Sequence, residues 1–246
     1  MSQESHIKTE IQQRVAFIQN VIQGAGASGV VYGNSGGKDS ALVGILCKQA
    51  CDNTLGLIMP CGSVRNYETD KADAETVAKK FGIATRFVDL TEAKNEIIRT
   101  VGKETQLSAS ALANMAPRLR MTALYAVAAS ENALVAGTGN RSEGYMGYFT
   151  KWGDGAFDFN PIADLTVTEI YEFLRFLDAP ESIISKAPSA ALYDGQTDES
   201  EMGVTYRSID DFLLHGAAGE SDRAIMEKFH AASEHKRKMP LVFARS

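Results

Sequence analysis

The chain has 246 residues, 44% of them hydrophobic and 23% charged, with a formal net charge of −6. That length can bury a large core; no apolar run approaches the ~20 residues that span a bilayer, and the opening MSQESHIKTE lacks the basic-then-apolar layout of a secretory signal. An acidic balance argues against general nucleic-acid binding, so the composition fits a single domain, 1–246, in the cytoplasm, with no membrane and no nucleic-acid partner.

In chain order, Ile7, Ile11, Val15, Ile18 and Ile22 recur at helical spacing and predict an amphipathic helix over 6–23, laid on the sheet or on a second subunit. A strand at Val30 to Tyr32 then meets Gly33, Asn34, Ser35, Gly36 and Gly37, followed by Lys38, Asp39, Ser40 and the helical pattern of Leu42, Val43, Ile45 and Leu46. Strand, glycine loop and helix start make an anion cradle, because glycine lets backbone N–H groups approach phosphate and the helix N-terminus adds positive charge. The loop follows neither the Walker spacing, since Asp39 stands where the hydroxyl residue belongs, nor the dinucleotide fingerprint. Cys47, Cys51 and Cys61 suit neither a disulfide framework nor a zinc site and read as core residues.

TLGLIMP, 54–60, is a second buried strand; 66–81 is a helix closed by Gly82; Ala84 to Val88 is a third strand; and Thr91 to Val101 is a solvated helix. Pro117 fits the first turn of a helix running to about Ser130, and Ala133 to Ala136 is a fourth strand ending at Gly137, Thr138 and Gly139. Strands alternating with helices predict an α/β fold, a doubly wound, Rossmann-like, mostly parallel sheet flanked by helices. The Gly33, Pro60 and Gly137 loops should then converge at the carboxyl edge. Thr166 and Glu169 form a capping box opening a helix through Leu177. The polar 192–201 stretch reads as a mobile lid, and helices are expected over 208–214 and 221–235.

Several stretches have compositions suited to chemistry. Arg118 and Arg120 lie two apart, which on a regular helix would send them to different sides, but at a helix start both can reach one ligand. Residues 137–161 gather Glu143, Lys151, Asp154, Asp158 and the rings of Tyr145, Tyr148, Phe149, Trp152 and Phe157 behind a strand end, the composition of a binding loop. KAPSA, 186–190, and HKR, 235–237, add basic charge.

SGGKDS, 35–40, resembles the pyrophosphatase loop of ATP-cleaving synthetases. With the Asn114 to Met121 segment, GTGNRSE, FTKWGDG, KAPSA, QTDESEMG and HKR in the same order, most of the chain resembles the ammonia-dependent NAD synthetases. The resemblance implies a homodimer that uses ATP as co-substrate with Mg2+, adenylates nicotinic acid adenine dinucleotide, and lets ammonia displace AMP to give NAD. It implies ATP contacts from Ser35, Gly36, Gly37, Lys38, Asp39, Ser40, Thr138 and Ser189, and metal ligation by Asp39 and Glu143. It implies dinucleotide contacts from Arg118, Arg120, Tyr125, Lys151, Asp158, His235 and Lys236, and a catalytic role for Asp39, Glu143 and Asp154, the last holding the incoming ammonium. No glutaminase domain is expected. The sequence departs from that family at Val167, where a lysine normally points at ATP, and Lys38 or Arg65 are candidate substitutes; the Pro60 to Glu68 loop matches weakly. The alternatives are another pyrophosphatase-loop ligase, a sulfur transferase using Cys61, or a nucleotide-binding sensor with weakened turnover.

Overall fold

Four parallel strands, β1 (Gly29–Gly33), β2 (Thr54–Ile58), β3 (Ala84–Phe87) and β4 (Ala133–Ala136), lie in the order β3-β2-β1-β4. The structure is a computed structural model that describes residues 3–63, 67–186 and 198–243. Val31 pairs with Leu55 on one side and Val135 on the other. From β1 the chain winds outward through β2 to the edge at β3 and then crosses back to β4. The winding therefore reverses between β1 and β4, which opens a crevice at their carboxyl ends.

Side chains alternate across the sheet. Val30 and Tyr32 join a core with α1 (Gln3–Ala25), α2 (Lys38–Ala50) and α7 (Val167–Phe176), while Val31, Leu55, Leu57 and Val135 join a second core with α5 (Ala109–Ser130). Cover on both faces is why β1 and β2 read as unbroken apolar runs. α1 packs on α2 and α7 through Ile7, Ile11 and Ile18, and Arg14 ties it to Asp164 with Nη1 at 2.6 Å and Nη2 at 2.8 Å. The predicted helix is thus placed on the helical layer of its own chain.

α3 (Thr69–Phe81) ends at Gly82 with φ of 66°, and α4 (Thr91–Val101) buries no residue, both as expected. α5 differs. It starts eight residues before Pro117, where the Ser108 hydroxyl accepts Ala111 N–H at 3.2 Å, so Pro117 is interior and the two arginines sit mid-helix. The cap and the helix-forming Ala109 to Ala113 stretch start the helix early, and burial of Ala116 and Pro117 offsets the hydrogen bond that an interior proline forgoes.

Beyond β4 come α6 (Arg141–Met146), α7, α8 (Glu181–Ile184), α9 (Asp198–Met202), α10 (Tyr206–His215), α11 (Glu220–Ala232) and α12 (Glu234–Arg237). The Thr166 and Glu169 capping box is formed on both sides. A third apolar cluster of Met146, Val167, Met202, Val204, Tyr206, Ile209 and Met226 lies behind α6. Residues 192–197 of the expected lid fall outside the described residues; the remainder, expected to have little to bury, is the helix α9, which buries Asp198 and Met202. Among the described residues no helix is long and apolar enough to cross a membrane.

Candidate active site

The Gly33, Pro60 and Gly137 loops converge as expected, on a cleft of ≈ 580 Å³. Its floor is the loop from β1 to α2. Gly36 takes φ of 70°, and a Cβ there would collide with the Asp70 carbonyl, so only glycine lets the loop pack against the start of α3. Ser35 and Ser40 hydroxyls face each other at 3.1 Å, and Ser40 also donates to Gly37 O at 3.0 Å, which leaves hydroxyls and the free N–H groups of the α2 start clustered for an anion.

Two carboxylates stand beside this cradle and share one partner. Asn140 caps α6: its side-chain oxygen accepts Glu143 N–H at 2.9 Å and its own N–H donates to Glu143 Oε2 at 3.1 Å. The same side chain donates through Nδ2 to Asp39 Oδ1 at 3.1 Å, so one residue spaces both acids. Burial pushes the Glu143 carboxyl well above the usual range, Asp39 adds to it, and Lys38 partly offsets it. Lys38 is buried, donates to Asp39 Oδ2 at 2.8 Å and lies 5.5 Å from the centre of the Tyr206 ring. Burial alone would lower its pKa, but Asp39 and Glu143 raise it on balance.

Lys186 is a cation that the sequence reading quoted without assigning. Its ammonium reaches back to Gly36 O at 3.1 Å, Asp70 Oδ1 at 2.8 Å and Asp73 Oδ2 at 2.7 Å, tying the phosphate loop to α3 within the cleft wall. Asn140 and the two aspartates were also missed. Asn140 was findable, since Asn-x-x-Glu before a helix is a cap pattern, whereas nothing local marks Asp70 or Asp73.

Asp154, Arg120 and Lys236 line the same cleft. Asp154 accepts Thr150 N–H at 2.9 Å; enclosure by the cleft walls raises its carboxyl although the residue keeps contact with solvent, with Arg120 and Lys236 pulling the other way. Lys236 donates to Gly147 O and Phe149 O, both at 2.7 Å, and burial lowers its pKa. Arg120 donates to Met59 O at 3.0 Å, and its burial likewise lowers its pKa.

The remaining residues assigned to a dinucleotide do not line the cleft. Arg118 donates to Lys151 O at 3.4 Å, away from Arg120, the divergence that a mid-helix pair requires; the helix start expected at Pro117 is what the structure corrects. Lys151 donates to His235 O at 2.7 Å, and Tyr125 donates to Asp158 Oδ1 at 3.2 Å; desolvation and the Asp158 carboxylate push the phenol up to about 12. Asp158 Oδ2 accepts Val135 N–H at 2.7 Å and so holds the free edge of β4. Thr138 lines the cleft; Ser189 and Arg65 fall outside the described residues. Cys61 is buried with its thiol pushed up by desolvation, the opposite of what a sulfur-transfer cysteine needs.

A parallel sheet with this loop at its switch point, flanked by paired acids and buried cations, defines an ATP-cleaving enzyme of the pyrophosphatase-loop type. The family model described as NAD synthase matches residues 10–241. The NH(3)-dependent NAD(+) synthetase of Carboxydothermus hydrogenoformans is 46% identical over 238 residues, covering 96% of each chain. Among solved structures, NMN synthetase from Francisella tularensis is 38% identical with a TM-score of 0.91, covering 96% of this chain and 98% of that one. The NH3-dependent NAD synthetase from Campylobacter jejuni is 30% identical with a TM-score of 0.80, covering 99% and 100%. The chain belongs to the NAD synthase family and is a ligase.

Proposed function

We propose that the chain amidates nicotinic acid adenine dinucleotide with ammonia at the expense of ATP, giving NAD, AMP and pyrophosphate. The observation that carries this reading is that one cleft is lined both by the phosphate cradle and by Asp154, Arg120 and Lys236. The substrate carboxylate attacks the α-phosphorus of ATP, the bond to the β-phosphate oxygen breaks, and pyrophosphate departs into the Ser35, Gly37 and Ser40 cradle. Ammonia then attacks the acyl carbon, AMP leaves with the bonding electrons, and the surplus proton passes to Asp154. A carboxylate is a poor electrophile, so the protein's contribution is alignment and fixed charge.

Asp39 and Glu143 fit a magnesium ion. They are hard oxygen donors spaced by one Asn140 beside the cradle, and among the described residues no larger group of acids, histidines or cysteines could supply a full shell. Phosphate oxygens and water would complete the coordination, and the ion would neutralise charge on the departing pyrophosphate. Two further features belong to this reading. α4 has no buried residue and leaves Ile97 and Val101 exposed, and apolar α5 buries only Ala116, Pro117 and Ala128. A second copy covering these faces makes a homodimer. The free cysteines fit a reducing cytoplasm.

A second reading takes the smaller mononucleotide acid as substrate and gives NMN. It is favoured by the higher TM-score to the Francisella NMN synthetase and by the position of Arg118, Tyr125, Lys151, Asp158 and His235 outside the cleft. Incubation with ATP, magnesium, ammonium and each acid in turn, with AMP, NAD and NMN resolved by chromatography, tests both. A kcat/KM at least tenfold higher for the dinucleotide supports the first reading, the reverse ratio supports the second, and ATP binding without AMP release leaves a nucleotide sensor.

A further inference from the structure

One buried carboxylate outside the cleft is unexplained by the reaction. Asp210, 2% exposed on the inner face of α10, accepts the Ser142 hydroxyl at 2.5 Å through Oδ1. Its Oδ2 accepts both the N–H and the hydroxyl of Thr168, each at 2.7 Å. Ser142 is completely buried and precedes Glu143; its hydroxyl also receives Val167 N–H at 3.4 Å. Thr168 lies in the first turn of α7, where N–H groups have no partner within the helix and a negative charge is favoured. One side chain therefore fastens the first turns of α6 and α7 to α10.

The arrangement matters because α6 has only six residues and cannot hold its shape unaided. Asn140 fixes Glu143 from the loop side; Arg141 anchors the turn by donating to Leu213 O at 3.1 Å and to Leu165 O at 2.8 Å, and Asp210 holds Ser142, the residue directly before Glu143. The same helix α10 presents Tyr206, one turn earlier, beneath the Lys38 ammonium. We propose that Asp210 is a positioning residue: through Ser142 it sets where the Glu143 carboxylate stands relative to Asp39 and the phosphate loop. This rests on the reading of Glu143 as a carboxylate for the magnesium that accompanies ATP.

The test compares Asp210→Ala, Asp210→Asn, Ser142→Ala, Glu143→Gln and the double variants of Glu143→Gln with each of the first and third. The measurements are thermal melting, the kcat and KM for ATP at varied magnesium, and Mn2+ titration followed by water-proton relaxation in the presence of a non-hydrolysable ATP analogue. Asp210→Ala is expected to weaken Mn2+ binding and lower kcat by about 10- to 100-fold, the range for residues that orient a metal ligand, with KM for ammonia unchanged. Ser142→Ala should move both in the same direction by less, without a fall in melting temperature that would account for it. Asp210→Asn should restore most of the loss, because an amide oxygen can accept both Thr168 bonds while its NH2 donates to Ser142. Adding Glu143→Gln to either variant should cost nothing beyond Glu143→Gln alone. Unchanged Mn2+ binding in Ser142→Ala and Asp210→Ala, or fully multiplicative losses in the double variants, overturns the proposal. Should Asp210→Ala not fold, the Ser142→Ala pair decides by the same criteria. If Glu143→Gln itself leaves Mn2+ binding unchanged, the metal reading fails separately, and non-additive kcat losses still report the positioning.

Discussion

Lys186→Met is the most informative single change. The wild-type ammonium sits between Asp70 and Asp73 at 2.8 and 2.7 Å, and the three side chains are 15%, 9% and 12% exposed. Removing one partner of a buried ion pair costs about 3 to 5 kcal/mol because the other charge is left uncompensated; the residual exposure points to the lower end, about 3 kcal/mol. For a chain of this size that is a fall in Tm of about 6 to 12 °C. The argument also predicts a rescue. Adding Asp70→Asn and Asp73→Asn to Lys186→Met removes the stranded charges and should bring the deficit to within about 1 kcal/mol of wild type. Since the ammonium also holds Gly36 O at 3.1 Å, the rescued protein should still bind ATP about tenfold more weakly, or roughly 1.4 kcal/mol. Urea unfolding, thermal melting and ATP titration read all three. A loss below about 1 kcal/mol for Lys186→Met, the worth of a surface pair, or a rescue that fails, would refute the buried clamp.

Two other outcomes follow from the same geometry. The Asp154 carboxyl is held above its ordinary 3.8, so the folded state binds more protons than the unfolded chain between that value and the folded pKa, and stability declines as pH rises through this window. Asp154→Asn removes that decline while its amide oxygen can still accept Thr150 N–H; its melting temperature relative to wild type should therefore be higher at pH 8 than at pH 4, with ammonia-dependent turnover strongly reduced at both. A relative melting temperature independent of pH would show that the acid is not perturbed by its enclosure. Val167→Lys places an ammonium in the Met146, Met202, Val204 and Ile209 cluster, and should destabilise by about 2 to 4 kcal/mol and slow turnover. Unchanged stability with tighter ATP binding would show instead that a lysine there reaches the cleft.

What was legible in the sequence was local. The β1 loop, the Gly82 stop and the Thr166 capping box each involve neighbours within four residues, where glycine content, hydroxyls and apolar period speak directly. The doubly wound order followed from alternation of strands with helices, and with it the convergence of three loops. Pro117 misled because proline is commonest in a first turn, whereas the true start was set by Ser108 and an alanine-rich run. That displacement by two turns turned a supposed arginine pair into one residue facing the cleft and one facing away. Asn140 to Asp39, Lys186 to Asp70 and Ser142 to Asp210 span 101, 116 and 68 residues, and polar side chains carry no local mark of so distant a partner.

The position of Val167 shows how local identity and site chemistry can separate. A valine where relatives are expected to carry a lysine would leave the ATP end short of positive charge if the rest of the site were unchanged. Its side chain instead fills the cluster that includes Tyr206, and the Tyr206 ring carries the Lys38 ammonium at 5.5 Å on another side. Lys38 stands at the first position of α2 and folds back to donate to its neighbour Asp39 at 2.8 Å. An apolar residue at 167 keeps that pocket free of a competing like charge. The cations beside the phosphate loop therefore come from the loop itself and from Lys186, and Lys38 of SGGKDS and the distant Val167 are two parts of one electrostatic arrangement, which a Lys38→Met, Val167→Lys exchange would report directly.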